Sequence, residues 1–203
     1  MGGQVRDRHT GTQGVAVIFT PTPLAGVWEI RPELREDERG AFARTSCNEE
    51  FAAHGLPAEW SQCSVSWNPR RGTLRGMHYQ ETPYGEHKLV RCTMGRVFDV
   101  AVDLRTDSST RFAWHGLELS ARNRAALYIP PGVAHGFLTL EDDCEVFYQI
   151  REPYRPGYTR GVRWSDPTFG IDWPEKPVCM SERDAGYALV ESFSELKTGR
   201  KAQ

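Results

Sequence analysis

The alternation of apolar and polar side chains is sharpest at residues 97–105, VFDVAVDLR, where Phe98, Val100, Val102 and Leu104 alternate with Asp99, Ala101, Asp103 and Arg105. A period of two belongs to an extended strand whose successive side chains point to opposite faces, so this stretch predicts a strand with one buried and one polar face. Shorter runs predict further strands: VAVIF from Val15, closed by Pro21-Thr22-Pro23, then KLVRCTM from Lys88, LYIP from Leu127, GFLTL from Gly136 and EVFYQI from Glu145. Turn formers such as Gly95, Gly132 and Asp142-Asp143 separate them. Short strands in this rhythm predict an all-β fold, a double-sheet jelly-roll β-barrel. Two short peripheral helices are expected beside it, one at NEEFAAH ending at Gly55 and a C-terminal one after Ser181 with Leu189, Phe193 and Leu196 on one stripe. Residues 1–14, polar and glycine-rich, read as a flexible leader, and residues 15–203 as a single domain.

Composition narrows the function classes. A chain of 203 residues is long enough for one well-buried core. With 25 basic against 27 acidic residues, net charge −2, no overall positive field is available to hold a polyanion, which argues against nucleic acid as partner. The opening lacks an apolar core behind its basic residues, and no stretch approaches the ~18 apolar residues of a membrane span, so a soluble, cytoplasmic protein is expected. Cys47, Cys63, Cys92, Cys144 and Cys179 are odd in number, scattered and never spaced as C-x-x-C. That pattern fits reduced, mostly buried thiols rather than a disulfide framework or a structural zinc site.

Candidate chemistry begins at two segments. A glycine-led strand holds His78, with Glu86 and Gly95 downstream, and Pro130-x-Gly132-x-x-His135 follows. These resemble the two halves of the cupin signature. In metal-binding cupins the first half reads H-x-H; here the second position is Gln80. His78, Glu86 and His135 remain as a possible ligand set, but losing one imidazole favours a metal-free pocket that needs no cofactor.

The stretch GTLRGMHYQETPYGEHKLVRCTMGRVFDVAVDLR, followed by LYIPPGVAHGF, EVFYQI, RGVRWSDPTFGIDWP and SERD, resembles the dTDP-4-dehydrorhamnose 3,5-epimerase family of deoxysugar biosynthesis over about residues 25 to 185. The resemblance implies a cupin-type barrel assembled as a homodimer, acting on a nucleotide-linked sugar such as dTDP-4-keto-6-deoxyglucose. A ketone at C4 makes the hydrogens on C3 and C5 acidic. An α C–H is still a far weaker acid than imidazolium, and each pKa unit of mismatch costs about 1.4 kcal/mol, so a base must be joined by a group that stabilises the enolate oxygen.

By motif, the resemblance makes His78 the base, Lys88 the cation beside the developing oxyanion, Tyr148 the acid serving the opposite face and Asp184 the carboxylate that orients the base. A nucleotide diphosphate needs donors, for which arginine forks suit best, and Arg75 of LRG and Arg39 of DERGAF are the candidates; Gln62 and Tyr154 match positions at the thymine, His135 is a further pocket contact and Arg183 of SERD a further substrate contact. Arg39 and Phe42 of DERGAF would reach into the neighbouring subunit. The residues themselves add that Lys88 shares strand parity with Val90 and Cys92, which points it inward, and that Tyr148 shares a face with Val146 and Ile150. Ser181-x-x-Asp184 also reads as a variant helix cap, an account of both residues without catalysis.

Three departures leave the nucleotide base and the final sugar open. Arg44 stands where the family has a glutamate and Thr159 where it has an acid, and the Gln62-Cys63-Ser64-Val65-Ser66 segment is altered, with a one-residue insertion before GTLRG. A mono-epimerase acting at C3 or C5 alone, a metal-dependent cupin oxygenase or isomerase, and a non-catalytic sugar-nucleotide binder stand as alternatives.

Overall fold

Runs rich in β-branched and aromatic residues, cut every few positions by Gly, Pro or Asn, fold into short strands. The computed structural model describes residues 15–190. In chain order it has β1 (Val17–Pro21), β2 (Trp28–Pro32), β3 (Arg35–Asp37), β4 (Gly40–Phe42), α1 (Asn48–Ala53), β5 (Gln62–Asn68), β6 (Leu74–Gln80) and β7 (Lys88–Met94). After these come β8 (Arg96–Asp103), β9 (Trp114–Ser120), β10 (Ala126–Ile129), β11 (Val133–Thr139), β12 (Cys144–Ile150), β13 (Thr159–Gly161) and the single-turn α2 (Glu182–Ala185). The expected leader, residues 1–14, lies outside the described residues.

One sheet has the strand order β1-β2-β10-β7-β12-β5, a second has β13-β6-β11-β8-β9, and β3 and β4 form a separate hairpin. Neighbouring strands pair antiparallel throughout. Side chains from the two large sheets meet in one core: Val90, Cys92, Leu127, Ile129 and Val146 from the first against Val97, Ala101, Leu119, Val133 and Phe137 from the second. This is the jelly-roll arrangement the strand rhythm predicts.

The face assignment of β8 needs correction. The row expected to be polar, which holds Asp99 and Ala101, points into the barrel, and Asp99 is fully buried there. The apolar row packs on the other side: Phe98, Val100, Val102 and Leu104 meet Met77, Ala134, Val162, Phe169, Ile171 and Trp173. Residues 162–173 thus cover the outside of the second sheet, and the alternation separates two buried environments, one of which tolerates a carboxylate because it holds a partner for it. The outer face of the first sheet is covered in turn by Phe51 of α1, with Trp60 and Tyr128 nearby.

Two further expectations are revised. The helix after Ser181 breaks at Gly186, so Leu189 is not helical; the chain is helical again at Val190, and Phe193 and Leu196 lie outside the described residues. The chain here is held by contacts a continuing helix could not make: the Arg163 Nε–H donates to the Tyr187 carbonyl at 2.7 Å and the Val190 N–H to Asp166 Oδ2 at 2.7 Å. All five cysteines are free, but only Cys92 and Cys144 are buried, whereas Cys63 and Cys179 are exposed. Burial pushes the Cys92 thiol up to about 12. Among the described residues no helix is long and apolar enough to cross a membrane.

The pairing of β6 with β11 decides where the functional side chains stand. His78 lies opposite His135, and the register then shifts before Arg75 meets Phe137. At the shift the two strands touch through glycines. Gly76 has φ +141°, and a Cβ on it would lie 2.5 Å from the Gly136 Cα. Gly76→Ala is expected to lower stability by about 1–3 kcal/mol, because backbone must move to admit the methyl group. Gly40→Ala, also at positive φ but with nothing within 4 Å, is the control for backbone strain alone. Thermal unfolding of the two variants checks this: the Gly76 variant should melt several degrees lower than the Gly40 variant.

Candidate active site

A cavity of about 480 Å³ opens between the sheets, lined by β6 and β11 on one side and by β5, β7 and β12 on the other. His78, on β6, is anchored from behind: its Nε2 lies 2.7 Å from Asp184 Oδ1, while Asp184 Oδ2 accepts the Gly76 N–H at 3.2 Å. Asp184 is only 4% exposed. Burial alone would raise its pKa, but the hydrogen bonds from His78 and Gly76 outweigh that and hold the carboxyl below its ordinary value. A carboxylate can only accept, so Nε2 carries the proton and Nδ1 keeps the lone pair that a base requires. Both readings of Ser181-x-x-Asp184 hold together. The Asp184 N–H donates to Ser181 Oγ at 3.1 Å, capping α2, while the Asp184 carboxylate serves His78.

On the facing sheet, Lys88 opens β7 and points inward as its strand parity predicts; its Nζ lies 2.7 Å from Glu86 Oε1, with both side chains about nine-tenths buried. Tyr148, on β12, packs against the core between the sheets. Burial pushes its phenol well above the ordinary tyrosine range, with the nearby Asp99 charge adding to the effect and Arg75 opposing it. The neutral phenol is therefore favoured over the phenolate. His135, register partner of His78, has its Nε2 2.8 Å from Asp99 Oδ1, and the His135 and Tyr148 rings meet edge to face at 6.0 Å.

Arg75, Arg183, Gln62 and Tyr154 also line the cavity. Arg75 is steadied by its Nε–H donating to Asn68 Oδ1 at 2.7 Å. The structure therefore gathers His78, Lys88, Tyr148, His135, Gln62, Arg75, Tyr154 and Arg183 around one space, with Asp184 directly behind His78. It does not bring Arg39 and Phe42 there: both sit on the β3–β4 hairpin, Arg39 paired with Asp37 and Phe42 69% exposed. The possible metal ligands each face a different partner, His78 on Asp184, Glu86 on Lys88 and His135 on Asp99. Among the described residues no group of three His, Cys, Asp or Glu is placed to hold a metal ion.

The family model described as dTDP-4-dehydrorhamnose 3,5-epimerase matches residues 21–192. The dTDP-4-dehydrorhamnose 3,5-epimerase of Methanothermobacter thermautotrophicus is 46% identical over 173 residues, 83% of this chain and 92% of the relative. The chain belongs to this family. Its relatives differ in the positions named in their activity: the dTDP-4-dehydrorhamnose 3-epimerase of Streptomyces niveus is 40% identical over 84% of this chain and 82% of its own. Among solved structures, the dTDP-6-deoxy-D-glucose-3,5-epimerase of Legionella pneumophila in complex with dTDP-4-keto-L-rhamnose superposes with a TM-score of 0.83 at 33% identity, covering 89% of this chain and 97% of that one.

Of the two single-residue departures from the epimerase pattern, Thr159 lines the cavity, whereas Arg44 is turned away toward Glu50 at 3.6 Å. The sequence reading missed three residues beside the site: Glu86 as the partner of Lys88, Asp99 behind His135, and Tyr187, whose ring lies 5.9 Å from His78. Asp99 could have been found from its place in the VFDVAVDLR row; Tyr187 carried no local signal.

Next to Lys88, His87 turns the other way, its Nδ1 2.8 Å from the Tyr128 hydroxyl, and burial followed by the Arg151 charge lowers its pKa to about 4. The unfolded chain, with histidine near 6.5, then binds more protons than the native one between about pH 4 and 6.5, so native stability falls as pH drops through that window. Urea unfolding midpoints at pH 7, 5.5 and 4.5 should decline for the parent, and His87→Gln should flatten that part of the decline.

Proposed function

We propose that this protein epimerises a dTDP-linked 4-keto-6-deoxy sugar, without a cofactor, at one or both of the carbons flanking the ketone. The observation that carries the reading is the His78–Asp184 pair on one wall of the cavity, with Lys88 and Tyr148 on the wall across from it. His78 Nδ1 removes the proton from the carbon next to the ketone, and the C–H electron pair moves into the ring to give an enolate. The Lys88 ammonium stabilises the developing oxygen charge, which is worth most in a water-poor site. Tyr148 donates its phenolic proton to the opposite face of the same carbon, which inverts it. The resulting imidazolium and phenolate reset by exchange with solvent.

Glu86 and Asp99 act through their partners, holding Lys88 and His135 in place. Arg75 and Arg183 supply guanidinium forks for the diphosphate, Gln62 and Tyr154 meet the thymine, and His135 contacts the sugar. Arg39 and Phe42, displayed on the exposed hairpin away from this cavity, serve the cavity of the partner subunit in a homodimer. The exposure of Phe42 together with Val65 and Trp67 of β5 supports a surface buried on association.

Proton NMR in deuterium oxide with dTDP-4-keto-6-deoxyglucose tests the reaction: deuterium entering C3 and C5 identifies a double epimerase, and entry at one carbon a mono-epimerase. His78→Ala should lower exchange by about 10²–10⁴-fold, the usual contribution of a general base. Tyr148→Phe should still wash deuterium into the carbon that faces His78 but should not yield the inverted product. No exchange with the parent protein would sink the epimerase reading for this substrate.

A further inference from the structure

The hydrogen bond to Asp184 fixes one atom of the His78 ring but not the plane in which the ring lies. A second side chain completes the arrangement. The Tyr187 ring meets His78 edge to face, with centroids 5.9 Å apart and planes at 71°. It reaches that position through a notch cut by Gly161, the register partner of His78 on β13. A Cβ on Gly161 would lie 2.2 Å from Tyr187 Cζ. The backbone below is clamped by Arg163 on the Tyr187 carbonyl at 2.7 Å and by Asp166 on the Val190 N–H at 2.7 Å. The Tyr187 hydroxyl is buried without a hydrogen bond of ordinary geometry, and the Arg183 guanidinium stands 5.8 Å from the ring centroid. Arg183 interacts with that hydroxyl, opposing the rise that burial gives its pKa, and it is the ring that meets His78.

We propose that Tyr187 is a positioning residue for the base: its ring sets the plane of the His78 imidazole so that Nε2 stays on Asp184 while Nδ1 is offered to the substrate. The inference rests on the reading of His78 as the base. The segment from Ser181 to Val190 then delivers both constraints on that imidazole, a carboxylate for one nitrogen and a ring for the plane. Gly161 is the residue that makes room.

The test is a set of variants of the full chain, Tyr187→Ala, Tyr187→Phe and Gly161→Ala, each alone, with Tyr187→Ala also built into an Asp184→Asn background. Measured for each are kcat and KM from deuterium exchange, dTDP affinity, and melting temperature. Tyr187→Ala and Gly161→Ala should each lower kcat about 10- to 100-fold, the scale of a sub-ångström to 1 Å misplacement of a reacting group, with KM and dTDP affinity little changed. Tyr187→Phe should restore most of the kcat lost in Tyr187→Ala. In the Asp184→Asn background the imidazole is already loose, so Tyr187→Ala should cost under about threefold more, a non-additivity that a role in folding alone would not produce.

Unchanged kcat in both Tyr187→Ala and Gly161→Ala overturns the inference, as does a fully additive loss in the Asp184→Asn background. If Tyr187→Ala melts too low to assay, Gly161→Ala, which keeps the tyrosine and displaces it, decides. His78→Ala run alongside separates the two levels. Exchange that survives in His78→Ala removes the base assignment itself, whereas a dead His78→Ala beside a fully active Tyr187→Ala removes only the role given to Tyr187.

Discussion

The Asp184–His78 hydrogen bond is the contact on which the arrangement of the site depends. It joins a strand in the middle of the barrel wall to a single helical turn more than a hundred residues away in the chain, and it does so with a carboxylate that is almost entirely shielded from water. Removing a carboxylate from water is costly unless its oxygens find donors. Here one oxygen takes the imidazole N–H and the other the Gly76 N–H, and the turn that carries the residue is capped by Ser181. The Gly76 donor is available because β6 leaves its register with β11 at that point, where two glycines let the strands touch. Backbone irregularity, helix cap and side-chain pair are therefore one construction.

The barrel interior divides along its length. Toward Val97, Leu119 and Cys144 it is filled by apolar side chains, as any closed sheet pair must be. Toward His78 and Lys88 it is lined by polar side chains, several of them held by a partner: His78 by Asp184, Lys88 by Glu86, His135 by Asp99 and Arg75 by Asn68. Buried pairs of this kind contribute little net stability compared with well-packed apolar residues. What they supply is fixed position. Groups held before substrate arrives need no reorganisation when charge develops on an enolate oxygen, which is the condition under which electrostatic stabilisation is most effective. Burial also favours the neutral phenol of Tyr148 over the phenolate.

Much of this was legible in the chain. Strand periodicity and turn residues located β1, β7, β8, β10, β11, β12 and α1 with ends shifted by a few residues, and the parity of Lys88 with Val90 and Cys92 gave its inward direction. The motifs named His78, Lys88, Tyr148, His135, Gln62, Arg75, Tyr154 and Arg183, which line the cavity, and also Arg39 and Phe42, which do not. What failed to read correctly failed for reasons of context. VFDVAVDLR has the pattern of a half-exposed strand, because alternation reports a difference between two faces and not whether either meets water. The helix expected after Ser181 is interrupted: the chain leaves it at Gly186 to be held by Arg163 and Asp166, side chains that lie twenty-four residues back, and is helical again at Val190.

By itself the sequence determined the all-β class, the positions of about half the strands, the inward parity of the lysine and the identity of the polar side chains in the cavity, since period, turn propensity and residue type are local properties. The tertiary structure alone decided that Asp99 belongs to His135, that Asp184 caps a helix and holds the His78 imidazole at once, and that Tyr187 enters beside His78 through the gap at Gly161. Those pairings join residues far apart in the chain, whose approach is set by the register of β11 against β6 and β8 and of β13 against β6. Register is fixed by the packing of the whole barrel rather than by any stretch of it.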